Sequence, residues 1–181
     1  MKLDDAYYHL LLLQSGLDDG YDAWLDGYLE EEDPLSDIVL NLVSCGSNLN
    51  ETISCLNVYC DPEPEVDEGQ LCDRLRNFLK GAYHSGRMSQ REVVDAMHRI
   101  ALAHGAPWDA EAGIWDEFYY MEDRLELVDD GFASREVFDS AFQAFLDDGI
   151  YCEETHWERS PSRKERFCNF LNSVMRYITQ K

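Results

Sequence analysis

Apolar residues recur along this chain at the spacing of helices and almost nowhere at the alternation of a strand. Leu3, Ala6, Tyr7, Leu10 and Leu13 mark one face of a first helix. Tyr21, Trp24, Leu25, Tyr28 and Leu29 follow the i, i+3, i+4, i+7, i+8 pattern, with Asp22, Asp26, Glu30 and Glu31 falling largely on the other side. Asp33-Pro34 reads as an N-cap followed by proline at the first helical position. It opens a third helix carrying Leu35, Ile38, Val39 and Leu42, which Gly46 can end. A fourth helix begins near residues 48–50 and carries Ile53 and Leu56. Asp61-Pro62-Glu63-Pro64 stops it, because proline has no N–H for the ladder and pushes the residue before it to extended geometry. Leu71, Leu75, Phe78, Leu79 and Tyr83 define a fifth.

Ser89-x-x-Glu92 is a capping box that starts a sixth helix, with Val93, Met97, Ile100 and Ala101 inside and Gly105 at its end. Trp115, Phe118, Tyr119 and Leu125 mark a seventh. Ser134 caps the next, with Phe138, Ala141, Phe142, Phe145 and Leu146 inside and Gly149 as the stop. Ser160-Pro161 opens a last helix carrying Phe167, Phe170, Leu171, Val174 and Ile178, and only Ile150-Tyr151-Cys152 reads as a short extended piece. The expected fold is all-α: one domain over residues 1–181, a bundle of about eight or nine amphipathic helices, with the loop at 61–68 as the candidate internal boundary.

Composition narrows this further. Of 181 residues, 45% are hydrophobic and 12% aromatic, enough for a packed core and too many for a disordered chain. The net charge of −22 is unevenly spread. Residues 1–70 hold one basic residue, Lys2, against seventeen acidic ones, a net of −16; residues 71–181 carry −6. Such a field disfavours nucleic acid and anionic membranes and favours a basic protein partner. Its plain alternative is solubility. The apolar run at residues 10–13 is too short to span a membrane, and Asp4-Asp5 stands where a signal peptide would be basic, so a cytoplasmic protein is expected.

Chemistry-bearing motifs are sparse. Five histidines are scattered, with no H-E-x-x-H, G-x-S-x-G, Walker A or dinucleotide-binding glycine pattern, so no catalytic residue is assigned and the chain is read as not an enzyme. The turns around Gly86 and Gly131 lack the hard oxygen ligands of a calcium loop and read as turns that cap the following helix. Six cysteines show no C-x-x-C pair and no zinc spacing, so buried thiols are expected, with neither metal nor other cofactor. The candidate partner-binding residues are Asp22, Asp26, Glu30, Glu31, Glu32 and Asp33, an acidic run beside the aromatics Tyr21, Trp24 and Tyr28. The i, i+4 spacing of Asp22 and Asp26 also permits a metal, and a solvated helix face remains the ordinary reading.

Three segments carry a resemblance: Trp115-Asp116-Glu117-Phe118-Tyr119-Tyr120-Met121, then Leu125-Glu126-Leu127-Val128-Asp129-Asp130-Gly131-Phe132-Ala133-Ser134, then Phe138 on to Phe145-Leu146. Together with Leu35-Ser36-Asp37-Ile38-Val39-Leu40-Asn41-Leu42, they resemble a helical, acidic bacterial family of uncharacterised domains associated with polymorphic-toxin immunity proteins. The resemblance covers residues 33 to about 150 and implies an all-helical fold and an inhibitor role. It carries no catalytic residue. The leading expectation is therefore an immunity or inhibitor protein that binds a basic toxin domain, such as a nuclease. The alternative is a helical adaptor or regulatory module whose acidity serves solubility. Thiol titration of the unfolded chain should return six free thiols; fewer, without reductant, would contradict the expectation of no disulfide.

Overall fold

A computed structural model describes residues 1–61, 66–105 and 114–149. Among them are eight α-helices and no strand, so the protein is all-α. The helices are α1 (Leu3–Gln14), α2 (Tyr21–Glu31), α3 (Asp37–Cys45), α4 (Leu49–Tyr59), α5 (Glu68–His84), α6 (Gln90–His104), α7 (Ile114–Asp129) and α8 (Arg135–Asp148). The chain forms two compact units, Met1–Met121 and Glu122–Lys181, with the boundary inside α7. Pro62 and Pro64, the piece at 150–152, the helix expected after Pro161, and Cys152 and Cys168 lie outside the described residues.

In the first unit, α1 does not bury a single stripe. Eight consecutive residues, Ala6, Tyr7, Tyr8, His9, Leu10, Leu11, Leu12 and Leu13, are buried, while Leu3 at its start is exposed. A helix that is apolar on every face must be enclosed, and α4, α5 and α6 all pack on it. The Tyr7 and Tyr8 hydroxyls drawn in with it find partners. The Tyr7 hydroxyl and His104 Nδ1 are hydrogen-bonded at 2.9 Å. The Tyr8 hydroxyl donates to Asp19 at 2.6 Å, and the Arg74 guanidinium lies 4.1 Å from the Tyr8 ring centre while pairing with Asp5 at 2.8 Å. His9 sits among aromatic rings, 4.4 Å from Trp24, 5.3 Å from Tyr8 and 6.0 Å from Tyr21 between centroids. Burial, with the Arg74 charge adding to it, lowers the His9 pKa to about 4.

Helix ends follow local chemistry with one shift. The Ser89 capping box is complete: Ser89 Oγ accepts from the Glu92 N–H at 3.4 Å, and Glu92 accepts from the Ser89 N–H at 2.7 Å. Asn48 and Asp67 cap α4 and α5 through the N–H groups of Glu51 and Gln70. Ser134 holds the N-cap position of α8 without a side-chain cap bond. Gly86 and Gly131 have φ of +73° and +74° and close the helices before them in Schellman turns. There the Arg87 N–H reaches the Ala82 carbonyl and the Phe132 N–H the Leu127 carbonyl. The shift concerns α3. It starts at Asp37 rather than at Pro34, because the Ser36 N–H and hydroxyl both donate to Glu32, which fixes Ser36 as the cap residue.

In the second unit, α8 buries Phe138, Ala141, Phe142, Phe145 and Leu146 as its stripe requires. Arg135 pairs with Asp129 at 2.8 Å across the intervening turn.

The buried, neutral His9 has a pH signature. Its pKa is depressed in the fold, so its contribution to stability is fully present above pH 6.5 and is lost as pH falls from 6.5 towards 4. The unfolding free energy of the His9→Phe variant should therefore fall less steeply across this window than that of wild type. Urea melts at several pH values within it test this; equal slopes would contradict the assignment.

Candidate interaction surface

The aromatic side of α2 is turned to α1. Tyr21 and Leu25 are buried, and Trp24 and Tyr28 are half-buried, with Trp24 on His9 and the Tyr28 hydroxyl accepting from the Lys2 N–H at 3.0 Å. Burial, first among several causes, pushes the Tyr21 phenol up to about 12. With these rings committed inward, the carboxylates face outward. Asp22, Asp26, Glu30, Glu31 and Asp33 are exposed and make no ion pair or hydrogen bond among the described residues. The aromatics grouped with them in the sequence are packing groups rather than exposed anchors.

Glu32 is set apart from the other five. Its carboxylate is paired with the Met1 ammonium at 2.5 Å and accepts from the Ser36 N–H at 3.2 Å and the Ser36 hydroxyl at 2.7 Å. The Tyr59 hydroxyl donates to the Met1 carbonyl at 3.0 Å. Residue 1, the end of α2, the start of α3 and the end of α4 are thus tied at one point. The ammonium first, and then the Ser36 donors, hold the Glu32 pKa at about 2.

Beside this tie lies a groove of about 930 Å³ between α3 and α4. The two helices form an αα-hairpin through residues 46–48. Asp37, Ile38 and Asn41 line one wall; Ser54, Cys55, Val58 and Tyr59 line the other. Val58 is 78% exposed, whereas Thr52 and Leu56 on the far face of α4 are buried. The sequence pattern pointed to the inner stripe of α4 and missed this outer one. Its trace there is an apolar Val58 three and four residues after Cys55 and Ser54.

Other clusters offer less. A smaller cavity of about 400 Å³ adjoins the Tyr7–His104 pair and includes Asn57, Cys60 and Asp61. Burial pushes the Cys60 thiol up to about 11, which leaves it protonated and a poor nucleophile. Burial also raises Cys72 and Cys55. Cys45, Cys55, Cys60 and Cys72 are free thiols. Among the described residues no group of three or more His, Cys, Asp or Glu side chains is placed to hold a metal ion, and no helix is long and apolar enough to cross a membrane. The chain matches no protein-family model, and comparison with curated proteins and with solved structures gives no significant match.

The Glu32 tie predicts a second pH effect of the same sign. A carboxylate depressed from 4.5 to about 2 stabilises the fold above pH 4.5, and that contribution is lost as pH falls towards 2. Glu32→Gln should therefore lower the melting temperature at neutral pH, with the gap from wild type closing below pH 4.5. A gap independent of pH would show that the lost interaction is not the charged one.

Proposed function

We propose that this chain is an inhibitor-type binding protein that engages a basic protein domain through the exposed carboxylates of α2 and the turn after it. One observation carries the reading. Residues 3–73 contain no Lys or Arg, and within that span Asp22, Asp26, Glu30, Glu31 and Asp33 stand in solvent without a compensating partner among the described residues. Like charges one turn apart on a helix repel by about a few tenths of a kcal/mol per pair. A cationic surface relieves that repulsion and is drawn in by the summed field. Glu32 contributes charge to the field but is held by Met1 and Ser36, so it is a structural tie rather than a contact.

The resemblance of residues 33 to about 150 to immunity-associated domains supplies the partner class. That partner is a bacterial toxin domain, such as a nuclease whose cleft is cationic because its substrate carries phosphate. Acidic side chains occupy the cleft in place of the substrate, inside the cell that makes the toxin. Binding, with no catalysis by this chain, accounts for neutralisation.

Steering by exposed charge acts on encounter. The Debye length falls from about 10 Å at 0.1 M salt to about 3 Å at 1 M, so the association rate should drop steeply with salt while dissociation changes little. The triple reversal Asp22→Lys, Asp26→Lys, Glu30→Lys should slow association about tenfold or more at low salt. Reversing Asp123, Glu126 and Asp130 should have a smaller effect. Stopped-flow mixing with a basic toxin domain encoded beside this chain measures all three. Equal association rates would remove α2 as the recognition surface.

A further inference from the structure

We propose that Cys45 and Cys55 form a redox-active dithiol, which a low-molecular-weight disulfide converts to a reversible Cys45–Cys55 disulfide across the α3–α4 hairpin. This goes beyond the proposed function and stands whether or not α2 meets a basic partner. Cys45 is the last residue of α3 and Cys55 lies in the second turn of α4; the two helices, joined by residues 46–48, pack on each other. The Cys45 thiol donates to the Asn41 carbonyl at 3.2 Å, which turns its side chain back along α3, away from the loop. Cys55 is its neighbour there. Burial raises the Cys55 pKa, and Cys45 raises it further through its charge and a hydrogen bond between the two side chains. Both residues are half-buried, and Cys55 opens on the groove, so a small reagent reaches them from solvent. Cys60 and Cys72 are buried.

A second observation, independent of the sulfurs, marks the same place. Tyr21, the first residue of α2, is 8% exposed, and its hydroxyl faces Thr52 without completing a hydrogen bond. It lies within the field of both Cys45 and Cys55. A buried donor with no acceptor is costly. An ionised Cys45 sulfur supplies the acceptor that this hydroxyl lacks.

The exchange balances in two steps. With Cys55 holding its proton, the Cys45 thiolate attacks one sulfur of the small disulfide RSSR. A Cys45–SR bond forms, the S–S bond of RSSR breaks, and RS⁻ leaves with the electron pair and takes up the proton that Cys45 gave to water. Cys55 then attacks Cys45 Sγ and passes its proton to the second RS⁻ as that group leaves. The two thiols are oxidised, RSSR is reduced to two RSH, and excess thiol reverses both steps. Transient disulfides of this kind occur in reducing compartments. The bond sets a thiol-dependent joint between α3 and α4, beside the start of α2.

The test treats the reduced, folded full chain with glutathione disulfide and blocks the remaining thiols with N-ethylmaleimide. Cleavage after glutamate then separates Cys45 from Cys55 at Glu51, and fragment-ion sequencing tells Cys55 from Cys60. Wild type should yield the Cys45 and Cys55 peptides joined by a disulfide, with no glutathione retained on either and reversal by dithiothreitol. Cys55→Ser should stop at glutathione on Cys45. Cys45→Ser should react at Cys55 about tenfold or more slowly than wild type reacts at Cys45, because burial keeps the remaining thiol protonated. The proposal is overturned if neither cysteine reacts, if wild type keeps glutathione on Cys45 without closing the bond, or if the bond joins either residue to another cysteine. It is also overturned if Cys45→Ser reacts as fast as wild type, or if the pair joins only after unfolding in urea, since the fold then does not bring the two sulfurs together.

Discussion

Enclosure of α1 is the constraint from which the first unit follows. Eight successive side chains of that helix are out of solvent, and a helical stretch enclosed all round needs neighbours on every side. Each of its buried leucines is worth about 1.5–3 kcal/mol relative to exposure, and Leu10, Leu11, Leu12 and Leu13 are all buried. The same enclosure pulls in Tyr7, Tyr8 and His9, so polar groups distant in sequence must meet them. His104 comes from the end of α6, Asp19 from the loop before α2, and Arg74 from α5. His9 stays neutral and lies against Trp24, which turns the aromatic side of α2 inward.

Exposure of the carboxylates is a consequence of that packing. With Trp24 and Tyr21 against His9 and Leu25 buried, Asp22, Asp26 and Glu30 are left on the exposed side of α2. Their mutual repulsion, about a few tenths of a kcal/mol per pair, is small against the burial of even one leucine. The fold therefore tolerates an uncompensated acidic face. Glu32 shows the other outcome for the same residue type. Given an ammonium and two Ser36 donors, a carboxylate becomes a structural joint, and the start of α3 moves to follow it.

Legibility in the sequence followed the range of the interaction. The Ser89 box and the α8 stripe from Phe138 to Leu146 depend on residues within a turn or two, and both formed as the pattern predicts. The helical class, the positions of the turns at Gly86 and Gly131 and the outward set of acids were legible for the same reason, though these glycines close the helices before them rather than cap those that follow. What escaped depends on contacts between distant segments. Periodicity marks one stripe on α1 but does not say that the remaining faces will also be covered. Asp33-Pro34 carries the local signal of a helix start, and the Glu32–Ser36 contact overrides it. The groove escaped because Val58 is a single apolar residue on an otherwise polar face of α4, and its meaning depends on Ile38 across the hairpin.

The central claim is that recognition belongs to the acidic surface of α2 and the turn after it. Carboxylate footprinting tests this most directly: carbodiimide-driven amidation of the chain, free and with a basic toxin domain encoded beside it, read residue by residue by mass spectrometry. The account predicts that the partner protects Asp22, Asp26, Glu30, Glu31 and Asp33, while Asp123, Glu126, Asp130 and Asp139 react as before. Protection confined to the second set would contradict it.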